Sequence, residues 1–507
     1  MIPHRLILLL LIAASIALQW SVRAAGFEAL SADDFGRVVV AAMWARNPQI
    51  IWHGVWLPLH TYVVGGLLML HGDMLWMPRL VNTLCGIASL GLIYALAWSL
   101  FGRSSVALLS VCLLLLNPAF VWLSLTTLTE LQYATCVLAA MLGFALYMQR
   151  GTVRPLYLGA IALALASAIR FEAWVLIALW AVALAMQSVW RFRRGMAILA
   201  REQVAALGVL VCFPTLWLWG NYWITGDALH FLVVNTSFDR KFYGSERIYS
   251  AYTDTLYNLD PISSMLALIA LPSMLAVYHR IAAVRIYAWL VIGSFLAYIG
   301  LRGGYVQPTG NYIRYLAPFL FFAYPAVAWF VVAIIDQLPK QWSRYGVLMF
   351  FLIILIMMQI PANFRFINDP SVDGLRVGLQ LQELRNSEPT DLKKPVLIEL
   401  NYWQYLAIHV ATSDLNYIVY DRQLDFELRN NSKTMLDLPI LVQCLHEHQI
   451  EYVVFRDPEL QSMLVQLGGV EEVAMVQAYR IYQLDQEKLP PFVPTHTHCE
   501  LPIGTGY

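Results

Sequence analysis

Apolar residues in this chain come in long, nearly unbroken runs rather than at the amphipathic spacing of a soluble fold. Hydrocarbon about 30 Å thick takes roughly 20 apolar residues of helix per crossing. Eleven runs approach that length: 6–22, 80–100, 104–122, 131–148, 155–169, 173–190, 204–220, 262–278, 286–301, 315–335 and 345–360. Several are short, and 155–169 is parted from 173–190 only by Arg170-Phe171-Glu172. Beyond Ile360 the pattern changes. Pro395–Leu400 and Tyr452–Phe455 read as short apolar strands, Arg480–Leu484 alternates as a strand does, and Leu436–His448 reads as a helix. These patterns predict an α-helical polytopic membrane domain over residues 1–360, with about eleven spans, and a small soluble α/β domain over 361–507.

Composition supports that division. Only 13% of the 507 residues are charged and 59% are hydrophobic, against about 25% charged in an ordinary soluble domain. The formal net charge of zero conceals a split: residues 361–507 hold 20 acidic and 11 basic side chains, leaving 13 acidic and 22 basic before them. Neither part has the concentrated positive charge of a nucleic-acid binder. The first run follows Arg5 and precedes Ala24-Ala25, which also suits a cleavable signal peptide. Because further spans follow, it is read as an uncleaved anchor.

The placement of the cations sets the orientation. With the N-terminus inside, the inner loops carry Arg5, Arg103, Arg150, Arg154, Arg191, Arg193, Arg194, Arg201, Arg280, Arg285, Lys340 and Arg344, against Glu202 and Asp336. The positive-inside rule therefore predicts a cytoplasmic N-terminus, and puts outside loop 23–79, the 123–130 turn, loops 221–261 and 302–314, and the C-terminal domain. Eleven of the thirteen acids before residue 361 then lie on the outer side.

Candidate chemistry collects on that side. Ser31-Ala32-Asp33-Asp34 fits the start of an amphipathic helix lying at the membrane interface, where the two acids could simply complement the helix dipole. Arg79 opens a span, where it could snorkel to headgroups, and Glu130 could cap the helix that follows it. Arg170 and Glu172, two apart, would not share a helix face and suit a tight outer turn. Arg302, Arg314 and Tyr315 belong to a Gly- and Tyr-rich loop whose arginine forks match phosphate, although an aromatic belt with anchoring cations has the same composition. Ionisable groups at membrane depth are costly and usually face an interior cavity, so their convergence on one side predicts a site.

The order of these features resembles the GT-C superfamily of membrane glycosyltransferases. It runs from Asp33-Asp34 through Trp56-Leu57-Pro58-Leu59-His60, Pro78-Arg79-Leu80-Val81-Asn82-Thr83-Leu84 and Leu128-Thr129-Glu130 to Ile313-Arg314-Tyr315-Leu316-Ala317-Pro318. It looks closest to the bacterial branch related to protein O-mannosyltransferases and the lipid A aminoarabinose transferase, over roughly residues 1–340. The resemblance implies transfer of a sugar, with inversion, from a polyprenyl-phosphate donor to a glycan, lipid or protein acceptor at the outer face of the inner (plasma) membrane. It assigns the essential acid of the first loop to Asp33 or Asp34 and the arginine opening the next main span to Arg79. Arg79, Arg170, Arg302 and Arg314 then compete for the donor phosphate, while Glu130 and Glu172 orient sugar hydroxyls or those arginines. No cofactor is assigned. A divalent metal is left open, with His53, His60 and His230 as outer-side candidates. Alternative readings are an O-antigen ligase or polymerase, a secondary transporter, and a non-catalytic export component. A transporter is disfavoured because no internal repeat is evident.

Cys85, Cys112, Cys136 and Cys212 fall in predicted spans as small packing residues, whereas Cys444 and Cys499 form a candidate disulfide in the exported domain.

Overall fold

A computed structural model of the chain describes residues 4–192, 201–234, 260–278, 281–302, 313–365, 372–385, 395–399, 404–415, 417–420 and 438–491. They divide into two compact units, the first comprising residues 1–30, 49–62 and 79–367, the second 31–48, 63–78 and 368–507.

The first unit is helical. Its elements are α1 (His4–Ala24), the start of α3 (Leu59–Leu70), α4 (Met77–Phe101), α5 (Ser104–Leu116), α6 (Pro118–Leu125), α7 (Thr129–Arg150), α8 (Val153–Ser167), α9 (Glu172–Phe192), α10 (Arg201–Thr225), α11 (Pro261–Val277), α12 (Ala282–Arg302), α13 (Ile313–Asp336) and α14 (Gln341–Ala362). All eleven apolar runs fall on these helices. Among the described residues eight helices are long and apolar enough to cross a membrane, or nine if α5 and α6 count as one bent span. The eleven-span expectation is therefore not reached by length, because α8 and α11 have only 15 and 17 residues.

The bend between α5 and α6 is 64° and has a local cause. Pro118 pushes the residue before it out of the helical region, so Asn117 is extended, and its side chain then accepts the Phe120 N–H at 3.1 Å as the cap of α6. Asp260-Pro261 begins α11 in the same way.

α13 lies at the centre of this unit, with 78% of its apolar window buried, and its Phe321 packs edge-on against Phe120 of α6. Association between apolar helices gains little from the hydrophobic effect inside lipid, so close backbone approach matters more. Gly143 of α7 and Gly159 of α8 provide it. A Cβ on Gly143 would come within 2.6 Å of the Pro155 carbonyl and 2.8 Å of the Gly159 Cα.

The second unit holds α2 (Asp33–Arg46), most of α3, and a five-stranded sheet in the order β2-β1-β3-β5-β4. β1 (Val396–Glu399) pairs in parallel with β2 (Tyr417–Tyr420) and β3 (Tyr452–Phe455). β5 (Tyr479–Leu484) runs antiparallel to β3 and to β4 (Val470–Val476). Its helices are α15 (Asp373–Arg385), α16 (Gln404–Thr412), α17 (Leu438–Glu447) and α18 (Pro458–Gln466). The three expected strands and the expected helix are present. β1 and β3 are buried along their whole length, which is why they read as continuous apolar runs.

The apolar face of α2, expected to lie on the membrane interface, is taken up by protein. α2 packs on α16, and Gly65 of α3 admits Trp44 and Ala41 so closely that a Cβ there would fall 2.4 Å from the Trp44 ring. The Met74 N–H adds a hydrogen bond to Ser413 Oγ at 3.0 Å.

Two predictions follow from this packing. Gly143→Leu forces α7 from α8 and should cost about 1–3 kcal/mol, read as a lower unfolding temperature in detergent. Gly91→Leu meets open space and should leave that temperature unchanged. In the second unit His409 is fully buried beside Arg46, and burial lowers its pKa to about 4, although the Asp414 carbonyl accepting from Nδ1 favours the charged form. A lowered folded-state value means that the unfolded chain takes up a proton first. Stability is thus full above about pH 6.5 and falls by roughly 3 kcal/mol by pH 4. Limited proteolysis of the full chain over that range should show opening of residues 372–491, and His409→Gln should flatten the response.

Candidate active site

Five of the residues picked from sequence meet at one end of the helical unit. Arg170 lies in the turn between α8 and α9. Its Nε and Nη2 grip Glu172 through both carboxylate oxygens, at 3.2 and 2.6 Å, and its Nη1 reaches Glu130 Oε1 at 2.9 Å and Thr129 Oγ1 at 3.3 Å. Arg314, at the start of α13, places Nε 3.7 Å from the same Glu130 oxygen. Tyr315 lies between the two guanidiniums, 5.1 Å from Arg170 and 4.6 Å from Arg314, and its hydroxyl accepts from Arg314 Nη2 at 2.5 Å.

The electrostatics are balanced. Two arginines face two carboxylates, and burial is near complete for Glu130, at 1% exposed. Burial opposes the charge of Arg170, but Glu172 and Glu130 outweigh it and leave its pKa raised. The Arg170 fork is thus occupied by protein carboxylates. Glu130 Oε2, in contrast, is buried without a hydrogen-bond partner among the described residues.

Arg79 does not join this cluster. Its Nη2 donates to the Glu28 carbonyl at 2.9 Å and lies 3.4 Å from the Glu28 carboxylate, which Arg23 also meets at 2.7 Å. One turn along α4, Asn82 Nδ2 donates to the carbonyls of Leu123 and Leu128, so Arg79 nevertheless sits at the same end of the unit. Asn82 Oδ1 accepts from Gln132, whose Oε1 faces His60 Nδ1 at 3.2 Å. Glu28 and this buried amide relay escaped the sequence reading. Asn82 and Gln132 carried a signal, since amides inside apolar runs need partners.

Asp33 and Asp34 belong to the second unit. Asp34 is 2% exposed, and its Oδ2 accepts the Ser31 N–H at 3.1 Å just ahead of α2. Asp33 opens α2 half-buried. Arg302 closes α12, but its side chain lies outside the described residues, as do Cys499 and the side chain of Cys444. Among the described residues no group of three His, Cys, Asp or Glu side chains is placed to hold a metal.

The geometry predicts the effect of removing the central cation. Arg170→Gln leaves Glu130 and Glu172 buried against each other and should cost roughly 3–5 kcal/mol. Adding Glu130→Gln should recover part of that loss, and paired thermal melts of the two variants read the difference.

Comparison with known proteins agrees with this architecture. Residues 53–219, a third of the chain, match the family model for dolichyl-phosphate-mannose-protein mannosyltransferases. No curated protein sequence matches. In structure the chain is similar to ArnT from Cupriavidus metallidurans bound to undecaprenyl phosphate, at a TM-score of 0.64 and 13% identity, over 95% of this chain and 99% of that one. It is also similar to the apo oligosaccharyltransferase of Archaeoglobus fulgidus (TM-score 0.54, 12% identity, 91% and 71% covered). A third match is the arabinofuranosyltransferase AftD from Mycobacteria (0.51, 14%, 95% and 40%). A local family match over a third of the chain and an ArnT-like fold over nearly its whole length are what this chain shares with membrane glycosyltransferases.

Proposed function

We propose that this protein transfers a sugar, with inversion, from a polyprenyl-phosphate donor to an acceptor at the outer face of the cytoplasmic membrane. The observation that carries this reading is the buried, charge-paired cluster at one end of an ArnT-like helical fold. The donor class is inferred from the undecaprenyl phosphate bound by that structural relative. The cation distribution of the sequence supports a cytoplasmic N-terminus, which would put the C-terminal domain outside.

In the proposed reaction a first-loop carboxylate accepts the proton of the acceptor hydroxyl as its oxygen attacks the anomeric carbon. The bond from that carbon to the phosphate oxygen breaks, and the electron pair leaves on the polyprenyl phosphate. Asp33 or Asp34 serves as that base, with Asp33 preferred. Arg79, Arg170, Arg302 and Arg314 are the candidates for the developing phosphate charge, and the Arg170 fork is already held by Glu172 and Glu130. Relatives that move sugars support an enzyme over a transporter, and the clustering of ionisable groups at one end of the helices supports it further.

Asp33→Asn should lower transfer from radiolabelled polyprenyl-phosphate mannose by about 10²–10⁴-fold, and Asp34→Asn by less. Full activity in both variants would sink the mechanism.

A further inference from the structure

One turn after Glu130 on α7, and on the same face, stands Tyr133. Its ring packs edge-on against Phe322 at 6.1 Å, and it is 1% exposed. Its hydroxyl is buried and has no hydrogen-bond partner among the described residues. The neighbouring Glu130 Oε2 is in the same condition. Nearly all buried polar side-chain atoms in folded proteins are bonded, and leaving one unmet is costly. Two unmet polar atoms thus belong to residues one turn apart on one face of α7.

The chemistry of the pair limits what would fill it. Glu130 pairs with two arginines through its other oxygen, and a carboxylate Oε2 offers an acceptor. The Tyr133 hydroxyl donates or accepts. A sugar carboxylate brought up to Oε2 itself would be repelled by it. We propose that Glu130 and Tyr133 form a subsite for neighbouring hydroxyls of a neutral sugar, making Tyr133 a specificity-determining residue that favours an uncharged donor sugar over a uronic acid. This rests on the sugar-transfer reading above and adds the class of sugar.

The test measures binding rather than turnover. Full-length protein in detergent is titrated with undecaprenyl phosphate, bare or carrying mannose, glucose or glucuronic acid, and the sugar's gain in affinity over the bare lipid is recorded. Wild type should gain from at least one neutral sugar and not from glucuronic acid. In Tyr133→Phe, which keeps the ring against Phe322, that gain should fall about five- to tenfold while bare-lipid binding is unchanged, and in Glu130→Gln the gain should fall as well. An unchanged gain in both variants overturns the subsite, as does an equal gain from glucuronic acid. A Tyr133→Phe protein that changes only its unfolding temperature marks a site for structural water and overturns it too. Failure of the bare lipid to bind wild type overturns the donor class itself, and the subsite with it.

Discussion

A guanidinium buried at the end of an apolar helical unit has to be surrounded by acceptors, and Arg170 imposes that requirement on everything near it. Bringing an ion out of water costs several kcal/mol unless geometry supplies both charge and hydrogen bonds. Glu172, two residues away, supplies one bidentate partner from the start of the next helix. Glu130 supplies the other from α7, and in turn draws the start of α13 inward through Arg314. Three helix starts are thereby fixed against one another by charge rather than by apolar contact.

The remainder of the helical unit is organised to permit that meeting. Close approach of α7 and α8 at Gly143 and Gly159 lets the short α8 run beside α7 and deliver its C-terminal turn to Glu130. The break at Asn117-Pro118 bends the preceding run, and the α6–α7 turn that follows is held to α4 through Asn82 and Thr83. At the opposite end Arg103 pairs with Asp336 of α13, the exposed counterpart of the buried cluster. An exposed pair of that kind adds little stability. The chain thus concentrates its costly electrostatics at one end.

Much of this was legible in the linear chain. Run lengths located the helices, because a helix in lipid must be apolar along its whole length, and the signs of the loop charges put Glu130, Arg170, Glu172 and Arg314 on one side, together with Asp33, Asp34, Arg79 and Arg302. Proline preceded by Asn or Asp marked helix starts by purely local sterics. In the C-terminal domain β1, β3 and β5 were readable from apolar runs and alternation. β2 and β4 were not: β2 is a short edge strand, and β4 is only half-buried, so neither imposes a pattern.

Sequence by itself determined which residues are costly to bury and the order in which the chain presents them. Tertiary structure alone decided their partners. It engaged Arg170 within protein, paired Arg79 with Glu28, grouped the Asp33–Asp34 helix with the C-terminal domain, and left Glu130 and Tyr133 with unmet polar atoms on one face of α7. The physical reason is range. Hydropathy and backbone sterics act over a few neighbouring residues and leave a periodic trace, whereas a buried charge bonds to whatever the fold brings within about 3 Å, however distant in sequence.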